Sequence, residues 1–189
     1  MLYNKLFPLA DCIEFDELET FEGTKKKPLS VIMAVEHKTR RILGYSVSQM
    51  PAKGRLAILS LKKYGPRKDE RAEGRRLLFE AIAPLVRPEV VIKSDQSPHY
   101  PRDVKKYFPQ ATHLRYLGRK PADTGQGELK RGAFDPIFSL NHTFAKSRDD
   151  IKRLARKTWC TTKRKDRLDL NFAIFAMHHN WKLLARQKV

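Results

Sequence analysis

Asp16 and Asp95 are the residues whose type and placement point most directly to chemistry. Each is delivered by a strand-like run. The first is Ile13-Glu14-Phe15-Asp16-Glu17-Leu18-Glu19-Thr20, and the second is Val90-Val91-Ile92-Lys93-Ser94-Asp95. Hard divalent cations take oxygen ligands, and Mg²⁺ is commonly held by one or two carboxylates plus substrate phosphates. Phosphoryl transfer needs a deprotonated nucleophile and a neutralised leaving oxygen, and two ions ~4 Å apart supply both. Two carboxylates from two strands of one sheet suit that task. Asp16 is the expected bridging ligand and Asp95 a ligand of one ion. Both have plainer roles open to them. Asp16 could be one more acid on a strand face, as Glu14 and Glu17 are. Asp95 could be a turn residue ahead of Ser97-Pro98.

The charge around these acids is uneven. The chain of 189 residues carries a formal net charge of +18. Residues 1–23 hold one Lys and six acids, net −5, whereas residues 141–189 hold 13 Lys/Arg and four acids, net +9. An acidic first strand in a basic chain fits a metal site beside a nucleic-acid surface. A basic protein with merely solvated helix faces would show the same total, so charge alone does not name the partner. An apolar content of 41% with 10 Phe excludes a disordered chain. Cys12 and Cys160 have no neighbours at zinc spacing and read as buried free thiols of a reducing compartment. No run approaches the ~20 apolar residues of a membrane span. The first ten residues are polar, are broken by Pro8, and make a poor signal peptide.

The elements that must position the acids follow from periodicity. Residues 12–21, 29–35 and 42–47 read as three strands with short connections, an antiparallel meander. Met50 to Gly54 breaks it, and Lys62 to Asp69 reads as a charged loop. Leu77, Leu78, Ala81, Ile82 and Leu85 share one face of a helix from Glu70 to near Pro88. Residues 89–93 form a short apolar strand of the kind buried in a parallel sheet. A short helix over 101–108, a fifth strand over 112–117 and a Gly/Lys-rich loop over 118–132 follow. A long helix over about 137–156 and a last helix over 166–181 complete the chain, the latter with Leu168, Phe172, Phe175 and Ala176 on its inner face. The order βββ-α-β-α-β-α predicts an α/β, ribonuclease-H-like mixed sheet with flanking helices. In that fold the first and fourth strands are central neighbours, so Asp16 and Asp95 converge.

A third ligand is expected from the helix after the loop, in Phe134-Asp135-Pro136-Ile137-Phe138-Ser139-Leu140-Asn141 and its continuation. Here the chain resembles the catalytic domain of DDE-type insertion-sequence transposases. The matching elements are Phe15-Asp16-Glu17, Ser94-Asp95 with Tyr100 downstream, and the helix with Arg148 and Arg153-Leu154-Ala155-Arg156-Lys157-Thr158. The likeness runs from about residue 12 to 180. It departs at the third ligand, where the usual Glu falls on Asn141, as in a branch that carries Asn there. The resemblance implies Asn141 as a metal ligand and catalytic residue beside Asp16 and Asp95. Its carbonyl oxygen can bind a hard cation, but without charge. Asp135 is the rival third ligand, although Asp-Pro also suits a helix start with Pro at N1.

Arg148 lies two helical turns after Asn141, on the same face, and Lys152 follows at i+4. With Arg153, Arg156, Lys157, Lys163, Arg164 and Lys165 these are the candidate DNA-phosphate contacts, or else a solvated basic face. Trp159 and Trp181 read as packing residues, and His178-His179 as packed or exposed rather than metal-binding. The resemblance implies a Mg²⁺- or Mn²⁺-dependent transposase with two ions, acting on element ends and target DNA as a homodimer or larger oligomer in the bacterial cytoplasm near the nucleoid. Residues 1–189 are expected to form one catalytic domain with basic C-terminal helices. The zinc-binding or helical DNA-binding segment usual ahead of such a domain is not expected here. The alternatives are a non-enzymatic nucleic-acid-binding remnant of the same fold and a metal-dependent nuclease.

Overall fold

The computed structural model describes residues 7–117, 135–154 and 164–187. The strands are β1 (Ala10–Phe21), β2 (Pro28–Glu36), β3 (Ile42–Gln49), β4 (Val86–Asp95) and β5 (Thr112–Tyr116). The helices are α1 (Arg55–Tyr64), α2 (Arg71–Ile82), α3 (Tyr100–Tyr107), α4 (Phe138–Asp150) and α5 (Lys165–Gln187). One mixed sheet has the order β3-β2-β1-β4-β5. β1 pairs antiparallel with β2 and β2 with β3, while β4 pairs parallel with β1 and with β5. This is the expected ribonuclease-H-like layout, with β1 and β4 adjacent at the centre.

Burial on both faces explains the sequence of β2. Leu29 to Val35 is buried throughout, as a strand covered on both sides requires. Successive side chains serve opposite cores. Ile13 and Phe15 of β1 pack with Leu78, Phe79, Ile82 and Tyr100 under α2 and α3. Leu18, Val31 and Met33 pack on the other face with Leu140, Phe144, Leu168, Phe172 and Phe175 of α4 and α5. The expected inner face of α5 is therefore buried as a unit.

Several boundaries differ from expectation. α1 occupies a stretch left without an element and part of the expected charged loop. Its apolar residues Ile58, Leu59, Leu61 and Tyr64 stay exposed. Only Ser60 is buried, its hydroxyl donating to the Lys26 carbonyl at 2.6 Å. Gly65 stops the helix at φ 73, a left-handed conformation that a side chain disfavours. β4 starts at Val86, earlier than the apolar run, because polar Arg87 to Glu89 continue it with exposed side chains. α4 ends at Asp150 and gives way to a single 3₁₀ turn over Lys152–Leu154, so the longer helix to 156 does not form as one element. The expected loop over 118–132 lies outside the described residues. Cys12 is a half-buried free thiol, raised in pKa by burial, and Cys160 lies outside the described residues.

α5 is fastened to the backbone of β3 by one amide. Asn180 Oδ1 accepts the Ile42 N–H at 2.9 Å, and its Nδ2 donates to the Ile42 carbonyl at 2.8 Å. Asn180 is 1% exposed. Depriving buried backbone groups of such bonds costs ~1–3 kcal/mol each. Asn180→Ala is expected to lower unfolding free energy by about 3 kcal/mol, read from urea denaturation. A loss under about 1 kcal/mol would mean that the amide is not the fastener.

Candidate active site

The strand register brings the two aspartates together. In the parallel β1–β4 ladder Ile13 lies opposite Ile92 and Glu14 opposite Lys93. Carried two residues further, the same register sets Asp16 opposite Asp95. Alternation puts both on the face of Glu14 and Lys93, the face that α4 covers. β4 ends at Asp95 while β1 continues to Phe21, so the pair sits where the parallel ladder stops. Both side chains are partly exposed there.

Asp16 is held from two sides. Its Oδ1 accepts the Glu17 N–H at 2.6 Å and the Tyr100 hydroxyl at 3.3 Å. Tyr100 is buried, its ring 4.7 Å from that of Phe15. Burial first, and the Asp95 carboxylate second, push the Asp16 pKa up to about 7, against the lowering effect of those two hydrogen bonds. Burial and Asp16 push the Tyr100 phenol far above its ordinary range, so it remains a donor. Asp95 Oδ1 accepts the Ser97 N–H at 2.9 Å, which turns the chain towards α3. The turn role open to Asp95 is thus filled, and it leaves the second carboxylate oxygen available.

The two rivals for third ligand flank the start of α4, Asn141 in its first turn and Asp135 ahead of it, and they are bonded to each other. Asn141 Nδ2 donates to Asp135 Oδ2 at 2.7 Å, and Asp135 Oδ1 accepts the Ile137 N–H at 3.2 Å. Asp135 therefore closes a turn ahead of α4 rather than capping it: the N-cap is Ile137 without a side-chain cap, and Pro136 precedes the helix instead of opening it at N1. Asn141 has its nitrogen engaged, which leaves Oδ1 as the atom it can offer a cation.

Glu14 is the residue that sequence reasoning undervalued. It is fully buried two positions before Asp16. Its Oε2 accepts the Leu140 N–H of α4 at 2.8 Å, and His37 Nδ1 is hydrogen-bonded to its Oε1. Lys93 Nζ stands 3.3 Å from His37 Nε2. An ammonium only donates, so Nε2 accepts and Nδ1 carries the proton given to Glu14. A carboxylate at a helix N-terminus also meets the positive end of the helix dipole. The β2–β3 turn adds a further tie. Lys38 and Arg40 hold positive φ, and the Lys38 N–H reaches Ser139 Oγ at 2.9 Å. The one available signal was the two-residue period, which sets Glu14 and Asp16 on one face. On the other face buried Arg75 bonds Glu17 at 3.2 Å and Asp103 at 2.7 Å, linking α2 and α3 to β1.

The basic candidates divide. Arg148 is half-buried near the end of α4, and Lys152 and Arg153 are exposed in the 3₁₀ turn, off the helix on which Lys152 was expected. Arg164 pairs with Asp166 at 2.8 Å and Lys165 with Glu70, so neighbouring carboxylates offset both charges. Arg156, Lys157, Lys163 and Trp159 lie outside the described residues. Trp181 is 59% exposed rather than packed, because the outer face of α5 has no neighbour among the described residues. His179 is buried with Nε2 donating to the Arg40 carbonyl at 2.8 Å, and His178 is exposed.

Among the described residues no group of three or more His, Cys, Asp or Glu side chains is arranged to hold a metal ion. A cation here would rest on two carboxylates, a neutral amide and substrate phosphates. Mg²⁺ accepts that donor set, and a divalent charge would offset the burial and the Asp95 repulsion that raise the Asp16 pKa. Among the described residues no helix is long and apolar enough to cross a membrane. No protein-family model matches the chain, and no curated protein sequence is significantly similar to it.

Proposed function

We propose that this chain is the catalytic domain of a DNA transposase of an insertion sequence, cutting a strand at an element end and joining it to target DNA. The observation that carries the reading is the placement of Asp16 and Asp95 on neighbouring central strands, with α4 anchored beside them through Glu14. The resemblance in Phe15-Asp16-Glu17, Ser94-Asp95 and the Arg148–Thr158 segment supports it. Asp16, Asp95 and the Asn141 carbonyl would hold Mg²⁺ or Mn²⁺, and Asp135 would keep Asn141 in place. Bound there, the ions would lower the pKa of a nucleophilic water or hydroxyl and neutralise the leaving oxygen.

The chain's own groups set up this chemistry. Tyr100 and the Glu17 N–H fix the Asp16 carboxylate in one orientation. Without a cation, burial and then Asp95 hold the Asp16 pKa at about 7, and a divalent charge bound there would favour the ionised carboxylate that serves as its ligand. Arg148, Lys152 and Arg153 would hold the phosphates of the strand that enters along α4. Water attacks the end phosphodiester and its P–O3′ bond breaks, freeing a 3′-hydroxyl and leaving a 5′-phosphate; that hydroxyl then attacks a target phosphodiester, whose own P–O3′ bond breaks so that the target's 3′-hydroxyl leaves. Neither displacement requires a covalent bond to the protein.

The test uses end-labelled duplexes with the purified chain, in Mg²⁺, in Mn²⁺ and in chelator. Cleavage with metal, none in chelator, and none by Asp95→Asn is the expected result. Strand joining distinguishes a transposase from a nuclease. Tight DNA binding without cleavage in either metal would leave a nucleic-acid-binding protein of this fold.

Binding itself should be steeply dependent on salt. Nine Lys and Arg residues lie between Arg148 and Arg167. Phosphate contacts release counterions, and log K falls by about 0.9 per neutralised phosphate for each log unit of salt. A slope of roughly −4 to −6 is expected on two unrelated duplexes, similar on both because phosphate contacts carry no sequence information. Arg153→Ala should reduce the slope by about 1. A flat plot on both duplexes would exclude phosphate contacts as the source of affinity.

A further inference from the structure

The outer face of α5 carries four large apolar side chains that belong to neither core. Leu170, Ile174, Met177 and Trp181 are 52%, 64%, 47% and 59% exposed. Their spacing of four, three and four residues makes one straight stripe along the helix, the spacing of a helix-pairing seam. The inner face is already committed, with Leu168, Phe172, Phe175, Ala176 and Asn180 all buried against the sheet. The stripe is therefore additional to what the fold needs.

Its charge pattern identifies the occupant. Charged residues make up 32% of the chain, yet Leu170 to Trp181 is a run of twelve residues without one Asp, Glu, Lys or Arg. Nucleic acid is held through cations facing phosphates, and this stripe presents none. Each copy of the chain carries a formal net charge of +18, so two copies repel wherever their basic surfaces meet. A charge-free apolar stripe is the surface on which they can approach. Met and Trp with depleted charge are also the composition of an interface core.

Area agrees. The exposed parts of the four side chains amount to roughly 400 Å² per copy, as large as the biggest apolar patches of ordinary monomers. With a rim from Asn171, Ala173 and His178, the total reaches roughly 600 Å² per partner, the lower bound of a specific interface. A two-fold axis lets the same stripe serve both partners. We infer that α5 is a homodimer interface, in which two copies of this chain pair through Leu170, Ile174, Met177 and Trp181 without DNA. The inference stands apart from the reading of Asp16 and Asp95.

Sedimentation equilibrium of the full chain, free of nucleic acid, tests it. A reversible monomer–dimer equilibrium in the micromolar range is expected. It should tighten several-fold as salt rises, because screening relieves the repulsion between like-charged copies. Ile174→Asp should weaken dimerisation at least about tenfold, with circular dichroism and melting unchanged because the side chain is exposed. Met177→Gln, a milder change, is read in the same way should Ile174→Asp fail to fold. A wild-type chain that stays monomeric at every concentration and salt overturns the proposal. So does a folded Ile174→Asp or Met177→Gln variant that dimerises like wild type. A dimer that loosens with salt also overturns it, since a bridging polyanion would behave so.

Discussion

Asn in place of Asp16 is expected to abolish metal-dependent cleavage and, at the same time, to make the folded chain more stable above neutral pH. The first effect follows from losing the carboxylate that faces Asp95. A rate loss of roughly 10³-fold or more corresponds to about 4 kcal/mol of barrier. The second effect follows from the Asp16 pKa of about 7, which burial and Asp95 set. An unfolded aspartate ionises near pH ~4. Between about pH 4 and pH 7 the folded chain keeps a proton that the unfolded chain has released, so its stability falls as pH rises through that window. A pKa displaced this far sets a ceiling of about 4 kcal/mol, and the partial exposure of Asp16 reduces this to about 2–3 kcal/mol. Asn does not titrate, so Asp16→Asn should gain that amount over wild type at about pH 8 and nothing near pH ~4. Urea denaturation of both proteins across this range is the measurement. Mg²⁺ should stabilise wild type and not the variant, since a ligand stabilises only the state that binds it. A variant less stable than wild type at alkaline pH would show that the Asp16 charge is already compensated without metal.

Glu14→Ala is expected to be the most damaging change outside the aspartate pair. It removes the acceptor of the Leu140 N–H and of His37, and leaves a cavity under α4. Each buried donor left without a partner costs ~1–3 kcal/mol, and the cavity adds to this. A loss of about 3–5 kcal/mol would consume much of the ~5–15 kcal/mol that holds a domain of this size together. Glu14→Gln keeps the shape but turns an amide NH₂ towards one of the two donors, and should cost about 1–3 kcal/mol. In both variants the N-terminal turn of α4 should loosen. The readout is hydrogen exchange at the Leu140 amide, faster by about tenfold or more, which corresponds to ~1.4 kcal/mol of lost protection. Since that turn carries Asn141, which is bonded to Asp135, metal affinity should fall with it. Unchanged exchange at Leu140 would mean that α4 is held by its apolar contacts alone.

The basic charge and its concentration in residues 141–189 were already explicit in the amino-acid sequence. So were the β1–β3 meander, from alternation and short turns, and the inner face of α5, from its helical period. The neighbouring of β1 and β4 followed from the likeness of the element order to the ribonuclease-H-like fold, where those strands are adjacent, an analogy at the level of fold. Tertiary structure decided the rest. The extent of β4 was hidden because Arg87, Pro88 and Glu89 are exposed and carry no apolar strand pattern, Arg87 pairing instead with Asp11 at 2.6 Å. α1 was hidden because Pro51 and Gly54 before it and the charged run from Lys62 at its end read as loop. The anchoring of α4 depends on a bond between Glu14 and Leu140, 126 residues apart, and Asn180 finds Ile42 across 138. Such partners leave no local signature, since a buried Glu and an exposed one are the same letter until the chain has folded around it. The raised pKa of Asp16 has the same origin: the sequence supplied the two acids, but the burial that chiefly raises it, and the Asp95 repulsion that adds to this, exist only because the sheet sets the pair side by side at the end of the parallel ladder.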